Sequence, residues 1–255
     1  GCWYLTPGAR YEYINTQNSG YYTEIMRHPL TNELLNRSRI EDGNSRTRNI
    51  FLLGLGALWR CKAGLEVYAN ASQNYRAMNF SDLYVSNPNL VIAPNMQDET
   101  GFTIDAGIKG KALREAFAFD AGIFMMQYQN RIGEMLTTIT DKEGVKSIVN
   151  YRNNIANARF VGIEVFEEFD FFKWRKKSST SQFSWFNNIA LVSAKYTNSE
   201  SSAVSGNLVE NVPTINYKTG FALKVKRFGA SLQANYVSQQ FTDATNAEFF
   251  PDATV

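Results

Sequence analysis

The chain has 255 residues, and its 26 lysine and arginine residues against 24 aspartate and glutamate residues give a formal net charge of +2. This even balance argues against a basic nucleic-acid-binding protein and against an acidic tail, so no nucleic-acid partner is expected. Aromatic residues reach 14% of the chain, the mean hydropathy is −0.31, and no long apolar run occurs. The composition therefore excludes a disordered chain and transmembrane helices.

Few residues of the chain could support metal binding or cysteine-dependent chemistry. The chain has one histidine, His28, and two cysteines, Cys2 and Cys61. These cannot form a zinc-ligand cluster, a Cys-x-x-Cys pair or a Cys/His dyad with normal spacing. No metal site is predicted.

The carboxylates and glycines also give no support to an enzyme. Glu167 and Glu168 are adjacent within a predicted strand, so their side chains point to opposite faces and cannot share a site. The Gly-x-Gly at residues 54–56 lies inside a strand with no helix after it, unlike a phosphate-binding loop. We expect no enzymatic activity and no covalently bound cofactor.

Alternation of polar and apolar residues, the pattern of a half-buried strand, recurs along the chain. The clearest example is FTIDAGIK at residues 102–109, where apolar side chains alternate with Thr103, Asp105 and Lys109. In chain order, strands are predicted near residues 5–13, 51–59, 65–74, 102–109, 117–127, 161–169, 183–196, 215–226 and 231–236. The sequence therefore predicts nine strands and no amphipathic helix.

The connections between these strands are long and short in turn. Long polar loops are predicted near 15–48, 76–99, 131–154, 198–211 and from 242. Short turns are predicted near 60–64, 110–115, 172–181 and 227–228. Outer-membrane barrels have long extracellular loops and short periplasmic turns, whereas a β-sandwich has no reason to sort its loops in this way.

The positions of charges and aromatic residues also bear on the fold class. Charged residues fall mid-strand on the non-apolar face, at Arg10, Glu12, Glu66, Asp105, Lys109, Asp120, Glu164, Lys218 and Lys224. A soluble sandwich would share this pattern. Aromatic residues recur at strand ends, as an interfacial belt requires, at Trp59, Tyr75, Tyr128, Tyr151, Phe171, Phe172, Trp174 and Tyr196. We predict an all-β fold, a segment of a transmembrane antiparallel up-and-down β-barrel, with further strands outside this stretch.

Residues 65–110 contain a pattern that extends this prediction. LEVYANASQNYRAMNFSDLYV, followed by APNMQDETGFTIDAGIKG, resembles a strand, long loop and strand of TonB-dependent outer-membrane receptors. LTPGARYEYI (5–14) and IFLLGLGALW (50–59) match two preceding strands, and YQNRIG, NNIANARFVGIEVF and NYVSQQFTDATN match later ones. YRAMNFSDL and APNMQDETG are most similar to the ferric-citrate and siderophore branch of the family.

The resemblance implies active import of a ferric siderophore, of ferric-citrate type, across the outer membrane of a Gram-negative cell. Such a receptor has a barrel of about 22 strands around an N-terminal plug. It is driven by the TonB, ExbB and ExbD motor through a TonB box ahead of the plug. The chain is most similar to the C-terminal half of the barrel, so the plug and TonB box are expected outside it. The ferric siderophore is the transported ligand.

Arginines are frequent in the predicted loops, and the resemblance gives them a ligand. Arginine binds carboxylates in a planar, bidentate way, and ferric citrate and carboxylate siderophores are anionic. The alternative is that these arginines pair with loop acids or with lipopolysaccharide phosphates. The candidate ligand-binding residues are Arg46, Arg48, Arg76, Arg152, Gln73 and Asn79.

Other ligands and one other class of protein remain open. NPNL at residues 87–90 and YRA at residues 75–77 are similar to two boxes of haem receptors, but no histidine lies between them. Tyrosine- and asparagine-rich loops leave import of an oligosaccharide open. A β-rich carbohydrate-binding or adhesive surface domain would share the strands, although it would not explain the alternating loop lengths.

The two cysteines lie at the short-turn ends of neighbouring predicted strands. In an oxidising periplasm Cys2 and Cys61 could form a disulfide. The alternative is two free, buried thiols.

Overall fold

The computed structural model describes residues 1–27, 31–61, 64–83, 89–140, 146–175, 181–199 and 201–255. Its elements in chain order are β1 (Cys2–Arg27), β2 (Leu34–Arg60), β3 (Glu66–Arg76), α1 (Phe80–Leu83), β4 (Leu90–Ile92), β5 (Glu99–Ala112), β6 (Phe117–Thr140), β7 (Lys146–Asp170), α2 (Phe171–Trp174), β8 (Ser181–Tyr196), β9 (Ile215–Val225), β10 (Phe228–Val237), β11 (Gln240–Phe241), β12 (Phe249–Phe250) and β13 (Ala253–Thr254). Neither helix exceeds one turn, and no helix within the described residues is long and apolar enough to cross a membrane.

All strands except β11 and β12, which pair only with each other, form one sheet that follows chain order. Its order is β1-β2-β3-β5-β6-β7-β8-β9-β10-β13, and the short β4 pairs in parallel with β7 outside this path. Within the described residues, nine strands of ten residues or more correspond to the nine predicted strands, and all of them are neighbours in this order. The prediction of an all-β segment of an up-and-down antiparallel barrel is confirmed.

Several strands continue into stretches predicted as loops. β1 extends to Arg27 and β2 begins at Leu34, inside the stretch 15–48. β6 and β7 likewise pair through the stretch 131–154, from Ile132 with Asn154 to Thr140 with Lys146. The hydrogen bonds of a β-ladder join backbone donors and acceptors only, so a strand can continue through residues whose side chains do not alternate between polar and apolar. Such stretches lack the alternation from which the strands were predicted.

The described chain divides into two compact units. The first is Ala9–Leu53, in which the Tyr11 hydroxyl donates to Asn49 Oδ1 at 2.7 Å. In the same unit the Arg39 guanidinium lies 3.6 Å from the centre of the Tyr21 ring. The second unit contains Gly1–Gly8 and Gly54–Val255, and the features described below belong to it unless stated otherwise.

Strand register gives this second unit one polar and one apolar face. One row across seven neighbouring strands contains Glu66, Lys109, Asp120, Phe166, Asn188, Lys218 and Asn235. The adjacent row, on the opposite face, contains Val67, Ile108, Ala121, Val165, Ile189, Tyr217 and Tyr236. All of the mid-strand charges predicted from Glu66 onward lie on the face of the first row, which we name the polar face.

The apolar face is exposed rather than packed. Ile123 is 60% exposed, Ile163 48% and Leu232 75%. No second sheet covers this face in the part of the chain that the structure describes, whereas a soluble sandwich needs one. A patch of this extent requires an apolar environment, and lipid provides it.

Aromatic rings gather at the short-turn ends of the strands. Trp3 stacks on Trp59 with ring centres 5.5 Å apart, and Phe169 contacts Phe171 at 4.9 Å and Trp174 at 5.7 Å. These rings match the predicted aromatic belt. Tyr128 and Tyr196 do not, because both pair with Ala158 and share the parity of the polar face. Polarity alone could not distinguish these tyrosines from belt residues.

Aromatic side chains on the polar face lie over glycines of the next strand. Phe124 pairs directly with Gly162, and Phe186 pairs with Gly220. A Cβ added at Gly220 would lie 2.8 Å from the Phe186 ring. The missing side chains let the rings lie flat along the sheet, an arrangement that stabilises glycine-containing strands.

Substituting one of these glycines is expected to destabilise the sheet. In Gly162→Ala the new Cβ would lie 2.5 Å from Phe124 Cζ and 2.7 Å from the Leu191 carbonyl oxygen. We expect a loss of about 1–3 kcal/mol in the free energy of unfolding, measured by urea titration of the detergent-solubilised receptor. Gly54→Ala is the matched control, since its Cβ would meet no atom closer than 3.6 Å. Equal losses in the two variants would contradict the close packing at Gly162.

Candidate functional site

Two connections fold back on the ends of the strands opposite the short turns. The first, of which the structure describes residues 77–83 and 89–98, is named the α1 loop in that extent, and it packs Met78, Ala93 and Met96 against Ile132 of β6. The second, of which the structure describes residues 197–199 and 201–214, is named the β8–β9 loop in that extent, and it buries Val204 and Val209 against a strand cluster. That cluster contains Phe160, Ala194 and Tyr196 of the polar face. These loops and the polar face form the candidate binding region.

Arg76 joins the α1 loop to the sheet. Its Nη2 donates to both carboxylate oxygens of Asp82, at 3.0 and 2.9 Å, and its Nη1 donates to Glu99 Oε1 at 2.8 Å. Glu99 is 1% exposed and also accepts the Ile132 backbone N–H at 3.0 Å. The Nη1 atom of Arg131 lies 3.8 Å from Glu99 Oε2. A buried carboxylate is stable only with such partners, so Arg76 has a structural role.

Arg152 and Asn154 of β7 hold the same loop at its middle and end. Arg152 Nε donates to Glu134 Oε1 at 3.0 Å, and its Nη1 donates to the Ser81 carbonyl oxygen. Asn154 pairs with Gln97 as a strand would: its Oδ1 accepts the Gln97 N–H at 2.7 Å and its Nδ2 donates to the Gln97 carbonyl at 2.9 Å. The described residues on both sides of residues 84–88 are therefore fixed to the sheet.

The β8–β9 loop is fixed by a similar set of contacts. The Tyr196 hydroxyl donates to Glu210 Oε2 at 2.5 Å. Asn246 pairs with the backbone of Leu208 in both directions, at 2.8 Å each. Asn207 Nδ2 donates to the Ala244 carbonyl at 3.0 Å, so the segment after β10 is joined to the same loop.

Asp243 orders the segment between β11 and β12. Its Oδ1 accepts the Thr245 N–H at 2.7 Å and its Oδ2 accepts the Glu248 N–H at 3.3 Å. Partial burial raises the pKa of this carboxyl, but hydrogen bonds from Thr245, Glu248 and Ala247 outweigh burial and leave the pKa below its ordinary value of 3.8. The ionised form is therefore favoured in the folded segment.

This depressed pKa predicts a pH dependence for the segment. A carboxyl with a lower pKa when folded contributes stability above about pH 4, and that contribution is lost as the pH falls through the folded-state pKa. Below pH 4 we expect the hydrogen-exchange protection factors of backbone amides near Asn246 to fall about fivefold, which is the effect of losing one hydrogen bond. Asp243→Asn should remove this dependence. A wild-type protection factor that is constant from pH 6 to pH 3 would contradict the assignment.

The structure distributes the predicted ligand-binding residues among several roles. Arg76 and Arg152 pair with loop acids, which is the alternative considered for them. Asn79 Oδ1 accepts the Asp82 N–H at 3.0 Å and so caps α1. Gln73 pairs with Phe102 and has the parity of the apolar face, away from the polar face.

Arg46 and Arg48 belong to the other unit, Ala9–Leu53. Arg48 is 6% exposed and donates to Thr16 Oγ1 at 3.1 Å, while Arg46 is exposed. Burial makes Arg48 a structural residue of that unit. His28 and residues 84–88, which include part of NPNL, lie outside the described residues.

The described residues contain neither a disulfide nor a cluster of metal-ligating side chains. Cys2 is an exposed free thiol and Cys61 a half-buried one, so the structure contains no bond between them and does not bury both. No group of three or more metal-ligating side chains occurs among the described residues. The described site offers hydrogen bonds and charges for a ligand.

The polar face also contains a depression of about 650 Å³ near the short-turn end. Gly8, Gly54 and Gly56 leave space there. At its edge the Tyr68 hydroxyl donates to Asp120 Oδ1 at 3.0 Å, and Asn70 Nδ2 donates to Asp105 Oδ2 at 2.8 Å. This surface can take part in polar contacts.

A single antiparallel sheet with a polar face, an exposed apolar face and ordered loops at one end defines a segment of a transmembrane β-barrel. The family model described as TonB dependent receptor-like, beta-barrel, matches residues 3–255. The chain belongs to this family, whose barrels are of the outer-membrane type in Gram-negative bacteria. No curated protein sequence matches the chain.

Solved structures similar to the chain include three receptors for ferric complexes. The ferric citrate transporter FecA in its unliganded form has a TM-score of 0.66 and 18% identity, covering 100% of this chain and 34% of that one. The ferric-catecholate import receptor Fiu from E. coli K12 has a TM-score of 0.67 and 13% identity, covering 99% of this chain and 35% of that one. The ferric yersiniabactin uptake receptor FyuA from Yersinia pestis has a TM-score of 0.69 and 16% identity, covering 99% of this chain and 34% of that one. At these identities the likeness shows the fold, and the chain spans about a third of each structure.

Proposed function

We propose that the protein to which this chain belongs imports a ferric siderophore, of ferric-citrate type, across the outer membrane in a TonB-dependent manner. The observation that carries this proposal is the family match over residues 3–255. The three similar structures named above are, by their descriptions, receptors or transporters for ferric citrate, ferric catecholate and ferric yersiniabactin. The sequences YRAMNFSDL and APNMQDETG favour the citrate branch among these ligands.

The long connections then lie on the extracellular side and the short turns on the periplasmic side. The α1 loop and the β8–β9 loop form a preorganised wall of the vestibule, because Arg76, Arg152 and Asn154 already hold the first of them against the strands. Preorganisation lowers the ordering cost of binding. These residues support the site rather than contact the ligand.

In the unit Ala9–Leu53, the residue that we assign to contact with an anionic ferric complex is Arg46, which is exposed and carries the guanidinium that suits a carboxylate. Binding is followed by gated import without covalent chemistry. The energy comes from the TonB, ExbB and ExbD motor acting through the plug and TonB box.

The proposal is tested by binding a panel of ligands to the full receptor in detergent, followed by tryptophan quenching. The panel contains ferric dicitrate, two catecholate siderophores, haem and a maltooligosaccharide. Saturable binding of ferric dicitrate alone is expected. Binding of haem, of the sugar or of a catecholate siderophore without a response to ferric dicitrate would keep the barrel and overturn the substrate.

A charge-matched pair of variants then tests the ligand contact. Arg46→Gln should weaken ferric dicitrate binding about tenfold, the effect of losing one charge-assisted hydrogen bond. Arg37→Gln, an exposed position on the same strand, is the control. Equal affinities of the two variants would remove Arg46 from the site.

A further inference from the structure

A row of three hydrogen-bond donors crosses the apolar face near the loop ends of β6, β7 and β8. Gln127 pairs directly with Arg159, and Arg159 pairs directly with Lys195. The next residues of the same face, one step further from the loops, are Met125, Val161 and Ser193, and after them Ile123, Ile163 and Leu191. The two cations therefore stand at the edge of a lipid-facing surface.

The cations are close together and have no counter-ion among the residues that the structure describes. Directly opposed side chains on antiparallel strands have Cβ atoms about 5 Å apart, where like charges destabilise the sheet. Arg159 and Lys195 are both exposed, and neither forms an ion pair with any residue that the structure describes. Along β7 the next acid on this face is Glu167, roughly 26 Å away at 3.3 Å per residue. An external anion would offset their repulsion.

The position of the row fits a membrane boundary. From Arg159 to Phe169, at the aromatic short-turn end of the same face, β7 runs roughly 33 Å at 3.3 Å per residue. A strand tilt of about 40° reduces this to roughly 25 Å, the height of the apolar band of outer-membrane barrels. The cations thus mark one boundary of the band and the aromatic rings mark the other.

We propose that Arg159 and Lys195, with Gln127, bind the phosphate of a lipid headgroup in the outer leaflet. The Arg159 guanidinium matches two phosphate oxygens, Lys195 adds a second charge, and the Gln127 amide adds a neutral donor. The acyl chains of the lipid lie along Val161, Ile163 and Leu191. Lipid is the occupant because the cations continue directly into an exposed apolar surface, which a free anion would leave uncovered. The inference rests on the membrane placement in the proposed function, since it needs the loop ends at the outer surface.

The test uses the full receptor, purified in a neutral detergent and studied by native mass spectrometry. The probes are diphosphoryl lipid A, the same lipid with both phosphates removed, and inorganic phosphate. The double variant Arg159→Gln with Lys195→Gln removes both cations. Its control, Lys218→Gln with Lys224→Gln, makes the same charge change on the polar face, where both lysines are exposed.

The wild type and the control are expected to retain diphosphoryl lipid A, while the double variant binds it at least tenfold more weakly. Equal retention by the double variant, or equal binding of the dephosphorylated lipid, would overturn the site. Displacement of the lipid by millimolar inorganic phosphate would show a free-anion site instead.

Heat-modifiable migration of each variant verifies that its barrel has folded, and the ferric-ligand panel is run on the same samples. Lipid binding lost with ferric-ligand binding intact in the double variant supports the site. A wild-type receptor that retains the lipid but binds no ferric complex would contradict the proposed import function and leave the lipid site standing.

Discussion

Ile163→Arg is expected to destabilise the barrel in a bilayer by about 2–4 kcal/mol, the cost of a cation near the middle of the lipid-facing band. Ile163 pairs with Ile123 on one side and Leu191 on the other, so no acid or backbone group is opposite the new charge. The measurement is urea unfolding of the full receptor in phospholipid vesicles, followed by tryptophan fluorescence.

The neighbouring residue gives the matched control. Glu164 pairs with Gly122 and Ala190 on the polar face, so Glu164→Arg places the same side chain one position along the strand on the opposite side. We expect Glu164→Arg to change the free energy of unfolding by less than about 1 kcal/mol, because its side chain lies on the polar face. Equal destabilisation by the two substitutions would contradict the assignment of the faces.

Arg76→Ala is expected to release the α1 loop by leaving the buried Glu99 carboxylate without its closest charge partner. Removing one partner of a buried ion pair costs about 3–5 kcal/mol, and the partial exposure of Arg76 favours the lower end. Backbone amides of residues 78–83 and 89–96 should then exchange about a hundredfold faster, since 1.4 kcal/mol is a factor of ten. Hydrogen exchange of the full receptor in detergent measures this effect.

Two further variants separate this explanation from a general loss of stability. Arg175→Ala removes an exposed arginine that follows α2 and should leave exchange in the α1 loop unchanged. Adding Glu99→Gln to Arg76→Ala should restore part of the protection, because a neutral amide is less costly to bury than an unpaired carboxylate. Faster exchange in the double variant than in Arg76→Ala would contradict the role of the charge.

The strands and their faces could be predicted because both depend on local alternation. Asp105 and Ile104 differ by one position, and a strand places them on opposite faces wherever it lies in the sheet. The ends of the strands could not be predicted in the same way. Ile132–Thr140 and their partners on β7 form a ladder through backbone groups, which leave no pattern in the side chains.

The ordered loops depend on contacts between residues far apart in the sequence. Asn154 binds the backbone of Gln97, 57 positions away, and Arg76 binds Glu99, 23 positions away. An arginine that binds a loop carboxylate and one that binds a ligand carboxylate use the same chemistry, so the sequence could nominate Arg76 but not its partner. The face on which Gln73 lies could be predicted, because Gln73 has the same parity as Ala69 and Ala71 and therefore belongs to the apolar face.

The central claim, that this sheet has one face toward lipid and one toward a polar interior, is tested most directly by spin labels placed one at a time at residues 161 and 163–166 of β7. In vesicles containing the full receptor, labels at Val161, Ile163 and Val165 should be accessible to oxygen, and labels at Glu164 and Phe166 to a water-soluble nickel complex. Accessibility that alternates with a period of two in this phase is the predicted result. Equal accessibility at all five positions, or alternation in the opposite phase, would contradict it.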